Sequence, residues 1–183
     1  MSRYHLIFKL EIMNYFNQTS ERLIYRKLEE SDIESWTEFF VDNPNLPYFG
    51  IPEVSIEEKS SLWVNRQLER YKENSFGGLA SICKETGELI GTTGISKKEV
   101  EGQTEYEVAY SLKPKYWRQG YATEMSTTMK QFAIDNNVHK RVISIIHKDN
   151  IGSIKVAEKN GMRYLFKTVY KKMPCFVYGV EVT

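Results

Sequence analysis

Tyr116-Trp117-Arg118-Gln119-Gly120-Tyr121-Ala122-Thr123-Glu124 runs a polar, glycine-bearing turn into an amphipathic segment. Beyond Gly120, Ala122, Met125, Met129, Phe132 and Ala133 recur at three- and four-residue spacing, which predicts a helix that starts at the glycine and buries one face. A helix start carries unpaired N–H groups and the positive end of the macrodipole, and a residue without Cβ lets an anion approach that backbone. Each N–H bond to a charged oxygen contributes about 1.5–3 kcal/mol, so several together suffice to anchor a pyrophosphate, with Arg118 as a further counter-charge. A single glycine before a helix is also commonplace, so spacing alone leaves open a turn that binds nothing. Neither Gly-x-Gly-x-x-Gly nor Gly-Lys-Ser/Thr occurs, which argues against Rossmann and P-loop sites.

Upstream, residues 78–112 hold three strand-like segments separated by Lys84-Glu85-Thr86-Gly87-Glu88 and Val100-Glu101-Gly102-Gln103, the spacing of an antiparallel meander. Gly91 and Gly94 mark positions of bending or close backbone approach. In Thr104–Leu112, Tyr106, Val108, Tyr110 and Leu112 share one face, and Glu107, Ala109 and Ser111 the other. Burial among apolar neighbours would raise the pKa of Glu107 and make it a proton acceptor near neutral pH; a solvated residue or a structural partner of a Lys or Arg is the alternative.

Nearer the start, Arg22–Leu28 reads as a strand. Ser31-Asp32-Ile33-Glu34 and Ser55-Ile56-Glu57-Glu58 read as capping boxes, the first for a short helix with Trp36, Phe39 and Phe40, the second for a helix to about Glu73 with Trp63 and Leu68 inward. Downstream, Arg141–Ile146 is a β-branched strand, Asn150 caps a helix from Ile151, and Asn160-Gly161 end it in a left-handed turn. Arg163–Tyr170 and Cys175–Val182 form a closing hairpin. The class is α/β with a mixed sheet.

The chain has 183 residues, 41% hydrophobic and 27% charged, with net charge +1, which suits one globular domain and gives no reason to expect a nucleic-acid or membrane field. Absence of a bilayer-length apolar run and of a signal-peptide pattern points to the cytoplasm. Cys83 and Cys175 are expected as buried, reduced thiols, and His5, His139 and His147 have no ligand spacing, so no metal site is expected. His147 precedes the Asn150 helix; a surface or packed role is favoured for it, outside the site. Residues 1–19 stand apart as an N-terminal extension, in which Met13 is an alternative initiator and His5–Ile12 an alternative edge strand; residues 20–183 form the domain.

Trp117-Arg118-Gln119-Gly120-Tyr121-Ala122-Thr123-Glu124 resembles the acetyl-CoA signature of the GNAT N-acetyltransferase superfamily, most closely its RimJ/RimL branch of ribosomal-protein N-terminal acetyltransferases. Asn150-Ile151-Gly152-Ser153, followed by Glu158-Lys159-Asn160-Gly161-Met162, resembles that branch's second signature, and with Glu21-Arg22-Leu23-Ile24-Tyr25-Arg26-Lys27-Leu28 the resemblance spans nearly all of residues 20–183. The wider superfamily usually has Gln or Arg at Trp117, although the branch tolerates Trp, and Gly or Ala at Ala122.

The resemblance implies a single GNAT-like domain in which two parallel strands, here Thr104–Leu112 and Arg141–Ile146, splay apart around the pantetheine arm of acetyl-CoA. Ser111 and Leu112 would offer backbone partners, and Arg118, Gln119, Gly120, Tyr121, Ala122 and Thr123 would cradle the pyrophosphate. Asn150 would organise the cofactor site as well as cap its helix. Many members protonate the departing thiolate with a Tyr four residues after the Ser153 position; this chain has Ala157 there. Ser153 is therefore the candidate for thiolate stabilisation, against a routine first-turn serine. Glu107 becomes the candidate base, directly or through water. Tyr48 and Phe49, in the connector Leu46–Pro52, would wall the acceptor cleft, or simply pack a loop. The implied activity is acetyl transfer to a peptide N-terminal α-amine, with a small amine such as an amino acid, polyamine or antibiotic as the alternative acceptor, and a non-catalytic acyl-CoA-binding module as the third reading. A monomer or homodimer is expected.

Overall fold

The computed structural model describes residues 15–73 and 75–182. Its strands are β1 (Gln18–Thr19), β2 (Leu23–Lys27), β3 (Gly78–Cys83), β4 (Leu89–Val100), β5 (Gln103–Leu112), β6 (Arg141–His147), β7 (Arg163–Tyr170) and β8 (Met173–Glu181); its α-helices are α1 (Asp32–Trp36), α2 (Ile56–Lys72), α3 (Tyr121–Asp135) and α4 (Ile151–Lys159). The strands form one mixed sheet in the order β1-β2-β3-β4-β5-β6-β8-β7, antiparallel throughout except for the parallel β5–β6 pair. The expected α/β domain with its meander, crossover helix and closing hairpin is therefore present.

Alternation along β3 assigns the two faces. Leu79 and Cys83 join a core with Met125, Met129 and Phe132 of α3, whereas Ala80 joins Trp36, Phe39, Phe40 and Val64 on the opposite face. Helices thus cover both sides of the sheet, and α3 sits on the face where its apolar stripe requires it.

Caps follow the sequence in part. Ser55 Oγ accepts from the Glu58 amide at 3.1 Å, Asn150 Oδ1 accepts from the Ser153 amide at 3.1 Å, and Gly161, at φ 77°, ends α4 as expected. Ser31 does not cap α1. Asp32 is instead buried, gripped by both Nη atoms of Arg26 at 2.7 and 2.8 Å, and accepts from the Glu29 amide. A guanidinium from β2 outcompetes the local box because it neutralises a charge the fold has buried.

The readings of Met13 and of His5–Ile12 lie outside the described residues. Tyr15 and Phe16 are core residues. Tyr15 Oη donates to the Gly77 carbonyl at 2.5 Å and accepts from the Ile95 amide at 2.7 Å. This is possible only because residue 94 is glycine: a Cβ there would collide with the Gly77 carbonyl and lie 2.7 Å from Tyr15 Oη.

Gly94→Ala forces backbone against backbone and is expected to cost about 3 kcal/mol or more, read by urea unfolding. A loss below about 1 kcal/mol would mean that Tyr15 does not pack where the structure puts it.

Candidate functional site

The centre of the sheet is open along one seam. The β5–β6 register comprises only Tyr106↔Val142 and Glu107↔Ile143, although β5 runs on to Leu112 and β6 to His147. Each strand stays fixed by its outer neighbour, β5 through Leu112↔Gly91 and β6 through His147↔Cys175, so only the inner edges part. At the crotch, Ser144 Oγ donates to the Val108 carbonyl at 2.7 Å, filling the first missing rung with a side chain. Beyond it lies a cavity of about 550 Å³, with Ala109, Tyr110 and Ser111 on one side and Ile145, Ile146 and His147 on the other. A strand edge without its partner strand leaves backbone donors and acceptors for a ligand to satisfy.

Past Leu112 the chain is pinned and then curled. Leu112 is a core residue outside the cavity wall, and its carbonyl accepts from Trp117 Nε1 at 2.8 Å. Arg118 (φ 61°) and Gly120 (φ 85°) are both left-handed, and α3 starts at Tyr121 with no side-chain cap on its amides. For a non-glycine residue such as Arg118 this costs about 1–2 kcal/mol. Arg118, Gln119 and Gly120 are exposed, Ala122 and Thr123 half-buried, and the Tyr121 side chain is buried, so the turn presents chiefly backbone. Successive amides around left-handed residues, at the start of a 15-residue helix, make a concave donor surface suited to a diphosphate.

One carboxylate holds this turn against the N-terminal arm. Glu124, in the first turn of α3, accepts from Ser20 Oγ at 2.6 Å, from the Arg22 amide at 2.7 Å and from Arg22 Nε at 2.7 Å. Arg22 also donates to the Gln119 carbonyl at 3.0 Å and lies over the Tyr121 ring at 4.1 Å. Burial alone would raise the Glu124 pKa, but the hydrogen bonds from Ser20 and Arg22 outweigh it and hold the carboxyl below its ordinary value. The motif contained this residue without disclosing its role, since its partners are about a hundred positions away.

At the far side of the seam, Asn150 and Ser153 line the cavity, and Tyr110 Oη donates to the Ser153 carbonyl at 3.0 Å, tying β5 to the first turn of α4. The Ser153 hydroxyl makes no hydrogen bond among the described residues. His147, left outside the site on the sequence, lines the cavity while its ring is packed: it stacks on Tyr48 at 4.5 Å and its Nδ1 accepts from the Asp149 amide at 3.2 Å. Its place as the last residue of β6, facing the seam, was the available signal. Tyr48 is thus a wall residue. Phe49 touches the cavity as well but packs its ring edgewise on Phe39 and Trp63.

Glu107 and Ser111 line the same cavity, so the structure gathers Glu107, Ser111, Asn150, Ser153, Tyr48 and Phe49, while residues 118–123 lie beyond its wall. Glu107 does not sit among apolar neighbours alone: Lys98 Nζ is 3.4 Å away, and both side chains are nearly buried. Cys83 and Cys175 are buried free thiols. Among the described residues no group of three or more His, Cys, Asp and Glu is placed to hold a metal, and no helix is long and apolar enough to cross a membrane.

Comparison with known proteins fits this geometry. The profile of the acetyltransferase (GNAT) domain matches residues 22–163. The uncharacterized N-acetyltransferase YnaD of Bacillus subtilis is 30% identical over 147 residues, 79% of this chain and 81% of the relative. A GNAT-family acetyltransferase from Bacillus anthracis superposes with a TM-score of 0.75 at 23% identity, covering 91% of this chain and 98% of the other. RimL, a ribosomal L7/L12 α-N-protein acetyltransferase solved with coenzyme A, superposes at 0.72 with 16% identity, covering 90% and 97%. The chain belongs to the GNAT acetyltransferase family and is an N-acetyltransferase whose acyl donor is acetyl-CoA.

The Glu124 clamp predicts a pH signature. A carboxyl whose folded-state pKa lies below its ordinary value of 4.5 stabilises the fold fully above that pH and loses the contribution as pH falls through the folded value. Unfolding free energies of wild type and Glu124→Gln should differ by about 1–3 kcal/mol at neutral pH. The gap should narrow on acidification below about pH 4.5, and a gap constant to about pH 3 would contradict the clamp.

Proposed function

We propose that this N-acetyltransferase acts on a peptide N-terminal α-amine, as RimJ/RimL-type enzymes do. The observation that carries the reading is the seam: a β5 edge without a β6 partner beyond Glu107, opening on a cavity whose single lining carboxylate among the described residues, Glu107, is already paired with Lys98. A base so engaged suits an amine that needs little help. An α-amino group titrates near pH 7.7–8.0 and Lys near 10.4, so at pH 7 about a tenth of the first but under about a thousandth of the second is uncharged.

Acetyl-CoA supplies the thioester carbonyl that the amine attacks. The amides of residues 118–123 would hold its diphosphate, and the β5 edge, through the seam-facing backbone of Tyr110 between Ala109 and Ser111, would orient its arm. Glu107, directly or through one water, takes the proton that the amine gives up as the C–N bond forms. The Ser153 hydroxyl hydrogen-bonds the sulfur as the C–S bond breaks, and the stacked Tyr48–His147 pair walls the acceptor side. A second reading, a small amine as acceptor, draws support from the cavity's volume of about 550 Å³, which is that of a small-molecule site. Thiol release with a panel of N-terminal peptides and small amines separates the two: turnover confined to small amines would overturn the peptide reading.

Two substitutions test the machinery. Gly120→Val adds a β-branched side chain at φ 85°, against Arg22 Nη2, and should weaken coenzyme A binding about 100-fold or more while the chain stays folded, as judged by calorimetry and circular dichroism. Normal affinity would remove the cradle. Ser153→Ala should lower kcat about 10-fold or more with the coenzyme A Kd little changed. Unchanged turnover would leave Ser153 as a first-turn residue of α4.

A further inference from the structure

The acceptor half of the cavity is far more cationic than the chain that builds it. Net charge is +1, yet Lys59, Arg66, Arg70, Lys98 and Lys171 line this one cavity against the single carboxylate of Glu107. Lys98 is matched by Glu107, and Lys59 by Glu53 at 3.6 Å. Among the described residues, Arg66, Arg70 and Lys171 have no carboxylate within 4 Å; Arg70 Nη1 donates only to the neutral Gln67 at 3.1 Å.

The three come from two elements; Arg70 is half-buried, and Arg66 and Lys171 are exposed. Arg66 and Arg70 are four apart on α2 and share a face. Lys171 occupies the two-residue turn of the β7–β8 hairpin, where Tyr170 pairs with Met173 and both central residues, Lys171 and Lys172, are left-handed at φ 49° and 65°. Such a turn ordinarily takes Asn-Gly, so two lysines there are unfavourable for the backbone. The hairpin lies against the connector, since a Cβ on Gly50 would meet Met173 Cε at 3.5 Å and Lys171 Cδ at 3.8 Å. Burial, and then Arg66, push the pKa of both Arg70 and Lys171 down: unliganded, these cations oppose one another. Unrelieved like charge in a cleft costs stability and is relieved by an incoming anion.

Resting on the acceptor-cleft reading above, we infer that the amine this enzyme acetylates carries a carboxylate or phosphate close to the nitrogen, held by Arg70, Arg66 and Lys171 while the nitrogen sits at Glu107. Polyamines and aminoglycoside-like polycations are rejected by the same charges. The cluster is not the diphosphate site. It surrounds Glu107, and from there β5 climbs roughly 13 Å to Ser111 before the chain reaches the Gly120 turn.

The test uses matched acceptors. With isoglutamine against glutaminamide, which differ only in the side-chain carboxylate, and Ser-Asp-Asp-amide against Ser-Asn-Asn-amide peptides, kcat/KM should favour the anionic member by about 10-fold or more, spermidine being poorest, and the better anionic series identifies whether a small acid or a peptide is the source. Arg70→Gln, and Lys171→Asn, which retains a residue tolerant of the left-handed turn, should bring the ratio towards unity with the coenzyme A Kd unaltered and thermal stability equal or higher. The proposal is overturned if neutral or cationic amines match the anionic ones, if the ratio survives both substitutions, or if both weaken coenzyme A binding. Should no amine of any charge be turned over, the proposed function falls. Calorimetry with N-acetylisoglutamine and the uncharged N-acetylglutaminamide on the coenzyme A complex then judges the cluster separately: tighter binding of the former, lost in Arg70→Gln, supports it, and equal binding refutes it.

Discussion

Two strands that should pair for their whole length stop doing so after Glu107 and Ile143, and the rest of the molecule is arranged around that failure. An unpaired strand edge in the middle of a sheet is costly unless something else satisfies it. Here the outer neighbours β4 and β8 keep each strand straight, Ser144 closes the crotch with a hydroxyl, and Trp117 ties off the Leu112 carbonyl. What remains open is the backbone of Tyr110, between residues 109 and 111 whose own groups turn to β4, facing a cavity in a family whose donor is acetyl-CoA.

The turn that follows is set by a second constraint. Left-handed Arg118 and Gly120 direct the chain into α3, and the Ser20–Arg22 arm grips Glu124 from below. The arm, the turn and the helix start are therefore one unit, in which the half-buried carboxylate complements the helix dipole and leaves the outer amides uncovered. Function and folding draw on the same residues, so a change in the arm near Ser20 should be felt at the turn.

Local chemistry was legible in the sequence, and distant chemistry was not. The α3 stripe, the meander of β3 to β5, the caps at Ser55 and Asn150 and the Gly161 stop depend on neighbours within a few residues, and all could be read from spacing. The Ser31 box failed because Asp32 found a stronger partner in Arg26. Glu107 could be nominated from strand alternation, yet its company could not: Arg66, Arg70, Lys98 and Lys171 meet only once a helix, a strand and a hairpin turn converge. His147 escaped for the same reason, its ring being held by Tyr48 from a connector 99 positions upstream. The contiguous signature nominates the donor end of the site, whereas the proposed acceptor end is assembled from side chains that no contiguous signature contains.

The account stands on one arrangement: a donor laid along the open β5 edge with its diphosphate on the amides before α3. A crystal structure grown with saturating coenzyme A tests it most directly. Diphosphate density within hydrogen-bond distance of the amides of residues 118–123, with the pantetheine arm paired to the Tyr110 backbone and the sulfur beside Ser153, is the outcome expected. Coenzyme A bound elsewhere on the folded protein, with the seam between β5 and β6 closed or empty, would contradict it.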